Sequence, residues 1–222
     1  SNPRPFACLH GIGHGIIASV GYTTDGLHRA LTACKTSSPE KLTYWCYGGV
    51  FMEYNQRTML GNEFVRPLVS EGNLYEPCAS VDAAYKKACI FEQVPWWYRA
   101  LYQGDSSSST FAKLGGLCEH MSASPSIIRT CFEGLGNIVT PAVQYDPVLS
   151  RQLCDASTKN DLYRLFCISM AAQSLSQGVH DMKGALSMCD GMSGDYSAFC
   201  VSYAKKESTI VNPLPIPTGY EI

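Results

Sequence analysis

Residues 118–131, CEHMSASPSIIRTC, and 154–167, CDASTKNDLYRLFC, decide the fold. Each stretch opens and closes on a cysteine, the two positions 13 apart, and each carries a helix-start signal inside. In the first, Ser124-Pro125 offers an N-cap followed by proline at the first helical position; in the second, Asn160-Asp161 offers a weaker version. The pattern recurs as Cys34/Cys46, Cys78/Cys89 and Cys189/Cys200, at separations of 12, 11 and 11. Ser38-Pro39-Glu40, Ser80 to Asp82 and Gly194-Asp195 supply the matching starts. Shortly before each second cysteine stands Tyr44, Tyr85, Ile127, Tyr163 or Tyr196, and ahead of the first cysteines stand Leu31, Leu74, Leu114, Leu149 and Leu186.

Each unit therefore reads as a helix ending near the first cysteine, a short turn, and a second helix carrying the second cysteine. The second cysteines fall at 46, 89, 131, 167 and 200, so successive units are spaced 43, 42, 36 and 33 residues apart. Periods of this size mark stacked helical arrays, in which a single unit cannot bury its apolar face alone. The expected fold is all-α: a right-handed, α-solenoid-like stack of antiparallel helical hairpins, each stapled by its own disulfide. First helices are expected from Thr24-Asp25, near Gly61-Asn62, from Ser109-Thr110, from Asp146-Pro147 and near Gly178. Pro95 is expected to kink or shorten its helix. No linker separates the units, so residues 1–207 read as one domain, followed by an extended tail over 208–222 in which Pro213, Pro215 and Pro217 alternate with apolar residues. Cys8 is left over and sits where a second cysteine would, at the start of half a repeat.

Composition narrows the function classes. The chain has 222 residues, 45% hydrophobic and 16% charged, which suits a globular protein with a real core. With 17 basic against 19 acidic residues and a formal net charge of −2, it lacks the basic excess of a nucleic-acid binder. No apolar run reaches the roughly 18 residues that a membrane helix needs. Eleven cysteines without a C-x2-4-C spacing argue against structural zinc, and the missing C-x-x-C-H argues against attached haem. Paired cysteines imply an oxidising compartment, so the protein is expected outside the cell, at its surface or in a periplasm, its signal already removed ahead of Ser1. The chain holds no G-x-S-x-G, P-loop, H-E-x-x-H, dinucleotide fingerprint or N-glycosylation sequon.

Two function classes remain. The first is a secreted structural or interaction protein whose partner is a second copy or another extracellular protein, with self-assembly into an oligomer or filament through its ends and tail. The second is a metal site. His10 and His14 stand four apart, one helical turn, and could share a zinc, copper or iron ion. Glu53, seven after its cysteine, falls near the level of His14 in the next repeat and would be a third ligand or a general base. Glu133 and Asn137, at the offsets of His10 and His14 from their own cysteine, are outer-shell candidates. Gly11, Gly49 and Gly134 each follow a cysteine by three, which suggests close helix packing. His28, His120 and His180 read as surface or turn residues, and Trp96-Trp97-Tyr98 as core or a partner surface.

The stretches Cys8-Leu9-His10-Gly11-Ile12-Gly13-His14 and Cys46-Tyr47-Gly48-Gly49-Val50-Phe51-Met52-Glu53 resemble the CxHGxGH and CYGGVFME signatures of cysteine-rich helical-repeat proteins of microbial origin. The likeness covers residues 1–55 best, and later units share only the cysteine spacing. It implies a helical fold and no particular activity. More loosely, the stapled hairpins are similar to Sel1-like and TPR-like repeats, which implies an interaction scaffold.

Overall fold

Capping chemistry sets most helix starts. Asp146 accepts from the Leu149 amide ahead of Pro147, Asn160 from the Leu162 and Tyr163 amides, Asp181 from the Gly184 amide and Ser107 from the Thr110 amide. The computed structural model describes residues 5–37, 42–60, 65–66, 74–121, 124–205 and 215–217. Ten α-helices and a short 3-10 turn account for the secondary structure of the described residues, and none of these is in a strand. The Ser38-Pro39-Glu40 start, the helix near Gly61-Asn62 and most of the proline-rich tail lie outside them.

Contacts divide the chain into two compact units, residues 1–101 and 102–222. The first holds α1 (Pro5–Val20), α2 (Thr24–Ser37), α3 (Thr43–Gln56) and nearly all of α4 (Ala83–Tyr102). Here α1 packs chiefly on α3, and α2 touches both. The second holds α5 (Ser108–His120), α6 (Pro125–Ala142), α7 (Pro147–Ser157), α8 (Asp161–Gly178), α9 (Met182–Ser187) and α10 (Gly194–Ala204). In this unit α6 packs on α8 and α8 on α10, while α5 packs on α7.

Five disulfides join Cys34–Cys46, Cys78–Cys89, Cys118–Cys131, Cys154–Cys167 and Cys189–Cys200. All ten sulfur-bearing residues are buried. Closing a loop of this length removes unfolded-chain freedom and stabilises by roughly 2–3 kcal/mol. Cys8 is free and exposed on α1.

Several helix boundaries differ from the expectation. The chain near Gly178 ends α8 instead of starting a helix; α9 begins only at Met182, behind the Asp181 cap. Pro95 does not end α4, which runs on to Tyr102. The turn beyond it is anchored because the Trp96 and Trp97 indole N–H groups donate to the Arg66 and Leu74 carbonyls. Both indoles are buried, so this cluster is core. Leu149 is exposed, and Leu153 packs inside in its place.

The main helix pairs meet backbone to backbone. A Cβ added at Gly13 on α1 would lie 2.2 Å from the Cys46 carbonyl oxygen and 2.8 Å from the Val50 nitrogen on α3. A Cβ at Gly136 on α6 would lie 2.2 Å from the Cys167 carbonyl oxygen and 3.1 Å from the Ala171 nitrogen on α8. Gly13 and Gly136 each follow a cysteine by five, and Val50 and Ala171 each follow theirs by four. The two units thus use one packing register. Gly49 makes the reverse contact, its added Cβ falling 1.9 Å from the His10 carbonyl oxygen. Gly11, which shares the expected offset with Gly49, has open space beside it.

These contacts set opposite outcomes for one substitution. Gly13→Ala and Gly49→Ala should each destabilise by about 1–3 kcal/mol, because neither backbone can yield without separating the helices. Gly15→Ala, where a Cβ meets nothing within 4 Å, should stabilise by about 0.5–1 kcal/mol. Denaturant midpoints of the three oxidised variants check this; equal losses at all three positions would refute the contact.

Candidate functional site

The α1–α3 contact determines what surrounds Glu53. Seating Gly13 on the Cys46 carbonyl brings the next turn of α1, with His14, beside the last turn of α3, with Glu53. The Glu53 side chain is 0% exposed. Its Oε2 accepts from His14 Nδ1 at 2.9 Å and from the Thr58 hydroxyl; its Oε1 accepts from the Tyr22 hydroxyl at 2.6 Å and the Met59 amide at 2.9 Å. Tyr22 comes from the turn after α1 and Thr58 from the 3-10 turn Thr58–Leu60 after α3. Arg57, in the left-handed region at φ 49°, closes α3 and places its guanidinium 5.2 Å from the Tyr22 ring centroid.

Electrostatics follow from that geometry. Burial alone would push the Glu53 carboxyl up, but the hydrogen bonds from Thr58, Tyr22, His14 and Met59 outweigh it and hold its pKa below the usual carboxylate value. The Tyr22 hydroxyl moves the other way, raised by burial and then by its bond to Glu53. Because ionised Glu53 only accepts, the His14 proton sits on Nδ1, and Nε2 is the nitrogen left to act in a neutral ring. The His10 ring lies edge-on to His14, centroids 4.9 Å apart. Burial and then the neighbouring His14 lower its pKa, against a hydrogen bond to the Trp45 backbone that raises it.

The structure therefore brings together three of the residues expected at a metal site, with a change of role for one. A carboxylate has about four lone-pair sites, and four donors occupy those of Glu53. It orients His14 instead of offering a free oxygen as third ligand or base. Glu133 and Asn137 belong to the second unit. There Glu133 is buried, accepting from Arg129 Nε at 2.9 Å and from the Tyr203 hydroxyl at 2.6 Å, while Arg129 also lies 5.1 Å from the Phe166 ring centroid. In the shared packing register the counterparts of His14 and Glu53 are Asn137 and Ser174, and Ser174 accepts from Thr140 at 2.8 Å. Among the described residues, no group of three or more His, Cys, Asp and Glu side chains is placed to hold a metal ion.

His28 and His180 are exposed, and exposed His120 bonds the Gly116 carbonyl within its own helix. Tyr22 and Thr58 carried no sequence signal beyond lying just past a helix end. A second ionisable group in this unit also escaped notice: Glu92 on α4 is buried, and burial pushes its carboxyl up to about 8. No helix of the described residues is long and apolar enough to cross a membrane. No family model matches the chain, and neither the curated proteins nor the solved structures yield a match.

The His10–His14–Glu53 cluster should make the protein acid-labile in a defined window. A lowered folded-state pKa stabilises above the unfolded value and loses that stability as pH falls through the folded one. For His10 the loss starts below about 6.5, its unfolded value, and for Glu53 below about 4.5. Between pH 7 and 5 the Tm of the parent should therefore fall more steeply than that of His10→Gln. Thermal melts across that range check it, and parallel curves would reject the assignment.

Proposed function

We propose that the protein is a structural or interaction scaffold working in an oxidising compartment: secreted, at the cell surface or periplasmic. The observation that supports this most directly is the pairing of five buried disulfides with one glycine-on-carbonyl register used in both units. Such construction yields a rigid series of hairpins, and stacked hairpins serve to present surface to other chains. Two of the buried ionisable groups agree with that reading: Glu53 and the Arg129–Glu133–Tyr203 cluster find hydrogen-bond partners within the chain.

The partner in this reading is a second copy, joined through the C-terminal tail, or another extracellular protein. Pro215 and Pro217 border a shallow hollow with Asp195, Ala198 and Phe199 of α10. A tail that lies on α10 of its own chain can lie on α10 of a neighbour by the same contacts, and that exchange links copies head to tail. Sedimentation velocity of the oxidised protein should show concentration-dependent association that is reduced by deleting Asn212 through Ile222. A monodisperse monomer at high concentration would eliminate self-assembly.

A second reading, a metal-binding protein using zinc, copper or iron, is favoured by one specific feature. Each imidazole has one nitrogen directed at a protein group, Glu53 for His14 and the Trp45 backbone for His10, as orienting partners do for metal-bound histidines. The two rings would supply two ligands and leave the remaining positions to water or substrate. Titration of the chelator-treated protein with Zn2+, Cu2+ and Fe2+ should give one ion per chain, lost in His10→Ala/His14→Ala and weakened roughly 10–100-fold in Glu53→Gln. Absence of stoichiometric binding by any of the three would end this reading.

A further inference from the structure

The first unit contains a cavity of about 520 Å³, within the size range of small-molecule sites. Its apolar wall comes from Leu27 and Leu31 on α2 together with Pro77 and Val81, and Tyr54 and Tyr85 add ring surface. Arg66 faces into it, yet Arg66 is only 7% exposed.

Arg66 is held on nearly every side. Its amide donates to the Asn55 carbonyl at 2.8 Å, and its own carbonyl accepts from the Trp96 indole at 2.7 Å. In the side chain, Nε donates to Asn55 Oδ1 at 2.9 Å and Nη2 to the Glu76 carbonyl at 2.9 Å. The guanidinium carbon lies 3.7 Å from the Trp96 ring centroid. None of these partners is a carboxylate, and among the described residues nothing accepts from Nη1. Burial lowers the Arg66 pKa to about 10, still far above neutrality. The result is a buried, immobilised cation whose Nη1 has no acceptor among the described residues, on the wall of a cavity that is apolar on its α2 side.

We propose that this cavity binds a small monocarboxylate, its carboxylate on the Arg66 guanidinium and its apolar body against Leu27, Leu31 and Tyr54. A guanidinium presents paired N–H groups that match a carboxylate, and burial strengthens such a bond. The remaining charges disfavour more highly charged anions. Glu76 and Asp82 also line the cavity, so a dianion such as phosphate would meet two carboxylates. The Glu76 carboxylate accepts from Ser80, which also lines the cavity. Free acids and the C-terminal carboxylate of a peptide share the recognised chemistry.

The test is isothermal titration of the full-length oxidised protein with phenylacetate, hexanoate and N-acetyl-leucyl-leucine, each beside its neutral amide, and with inorganic phosphate. Saturable one-to-one binding of at least one acid is expected, at least tenfold tighter than its amide. Binding of the free acids alone, or of the peptide acid alone, identifies the source of the ligand. Arg66→Gln should weaken it at least tenfold. Because Arg66 also ties α3 to α4, a second variant leaves it untouched: Thr24→Trp places a large ring at an exposed point of the cavity wall and should abolish binding while preserving the melting curve. The proposal is overturned by no saturable binding at millimolar acid, by equal binding of acids and amides, by a preference for phosphate, or by binding that Thr24→Trp leaves intact.

Discussion

A glycine seated on a cysteine carbonyl is the contact from which the rest of each unit follows. Helix axes normally stand 8–10 Å apart, a spacing set by the side chains between them. Removing the Cβ at Gly13 and Gly136 lets the neighbouring backbone approach directly, and the receiving carbonyl belongs to a disulfide-bonded cysteine in both cases. The bond that staples each hairpin thereby also steadies the surface on which the next helix lands. Packing density and covalent constraint reinforce one another at the same residue.

Close approach of two backbones leaves little water between them, so polar side chains at the rim must find partners within the protein. Glu53 does so through four donors from three different segments. Arg129, Glu133 and Tyr203 do so as a closed triangle spanning α6 and α10, with Phe166 of α8 against the guanidinium. Arg66 and Glu92 do so less completely. The first has neutral hydrogen-bond acceptors and an aromatic face, with no carboxylate bonded to it among the described residues; the second has a carboxyl that burial pushes up to about 8. Both lie in the first unit, which is therefore the less electrostatically settled of the two.

Much of this was legible in the sequence, for identifiable reasons. Five disulfides could be read because cysteines 11–13 apart across a helix turn can reach each other without any tertiary information. Helix starts could be read at Asp146 and Asn160, where the cap is local chemistry. The His14–Glu53 meeting was anticipated from cysteine offsets alone, because similar offsets, six and seven here, place residues at similar heights on neighbouring helices. What escaped was set by contacts of long sequence separation. Gly49 makes the close contact expected of it, but Gly11 does not, and Gly13 and Gly136 do, since which glycine meets the next helix depends on a crossing that spacing does not encode. The Tyr22 and Thr58 donors, and Arg66 beside α3 and α4, lie in connecting segments without periodicity, where no local pattern announces a partner.

The two units make the division between scaffold and chemistry concrete. At one shared register the second unit places the neutral Asn137 and Ser174, the latter hydrogen-bonded to Thr140, while the first places His14 and Glu53, an ionisable pair. A register needed only for packing would be satisfied by the neutral choice, because burying a carboxylate carries a desolvation cost that its hydrogen bonds must then offset. The first unit retains the costly pair, adds His10 within ring contact, and carries in the same 101 residues the cavity with the buried Arg66 guanidinium. Both the proposed metal site and the proposed carboxylate site draw on this unit, whose α2–α3 and α4 segments the Cys34–Cys46 and Cys78–Cys89 bonds brace.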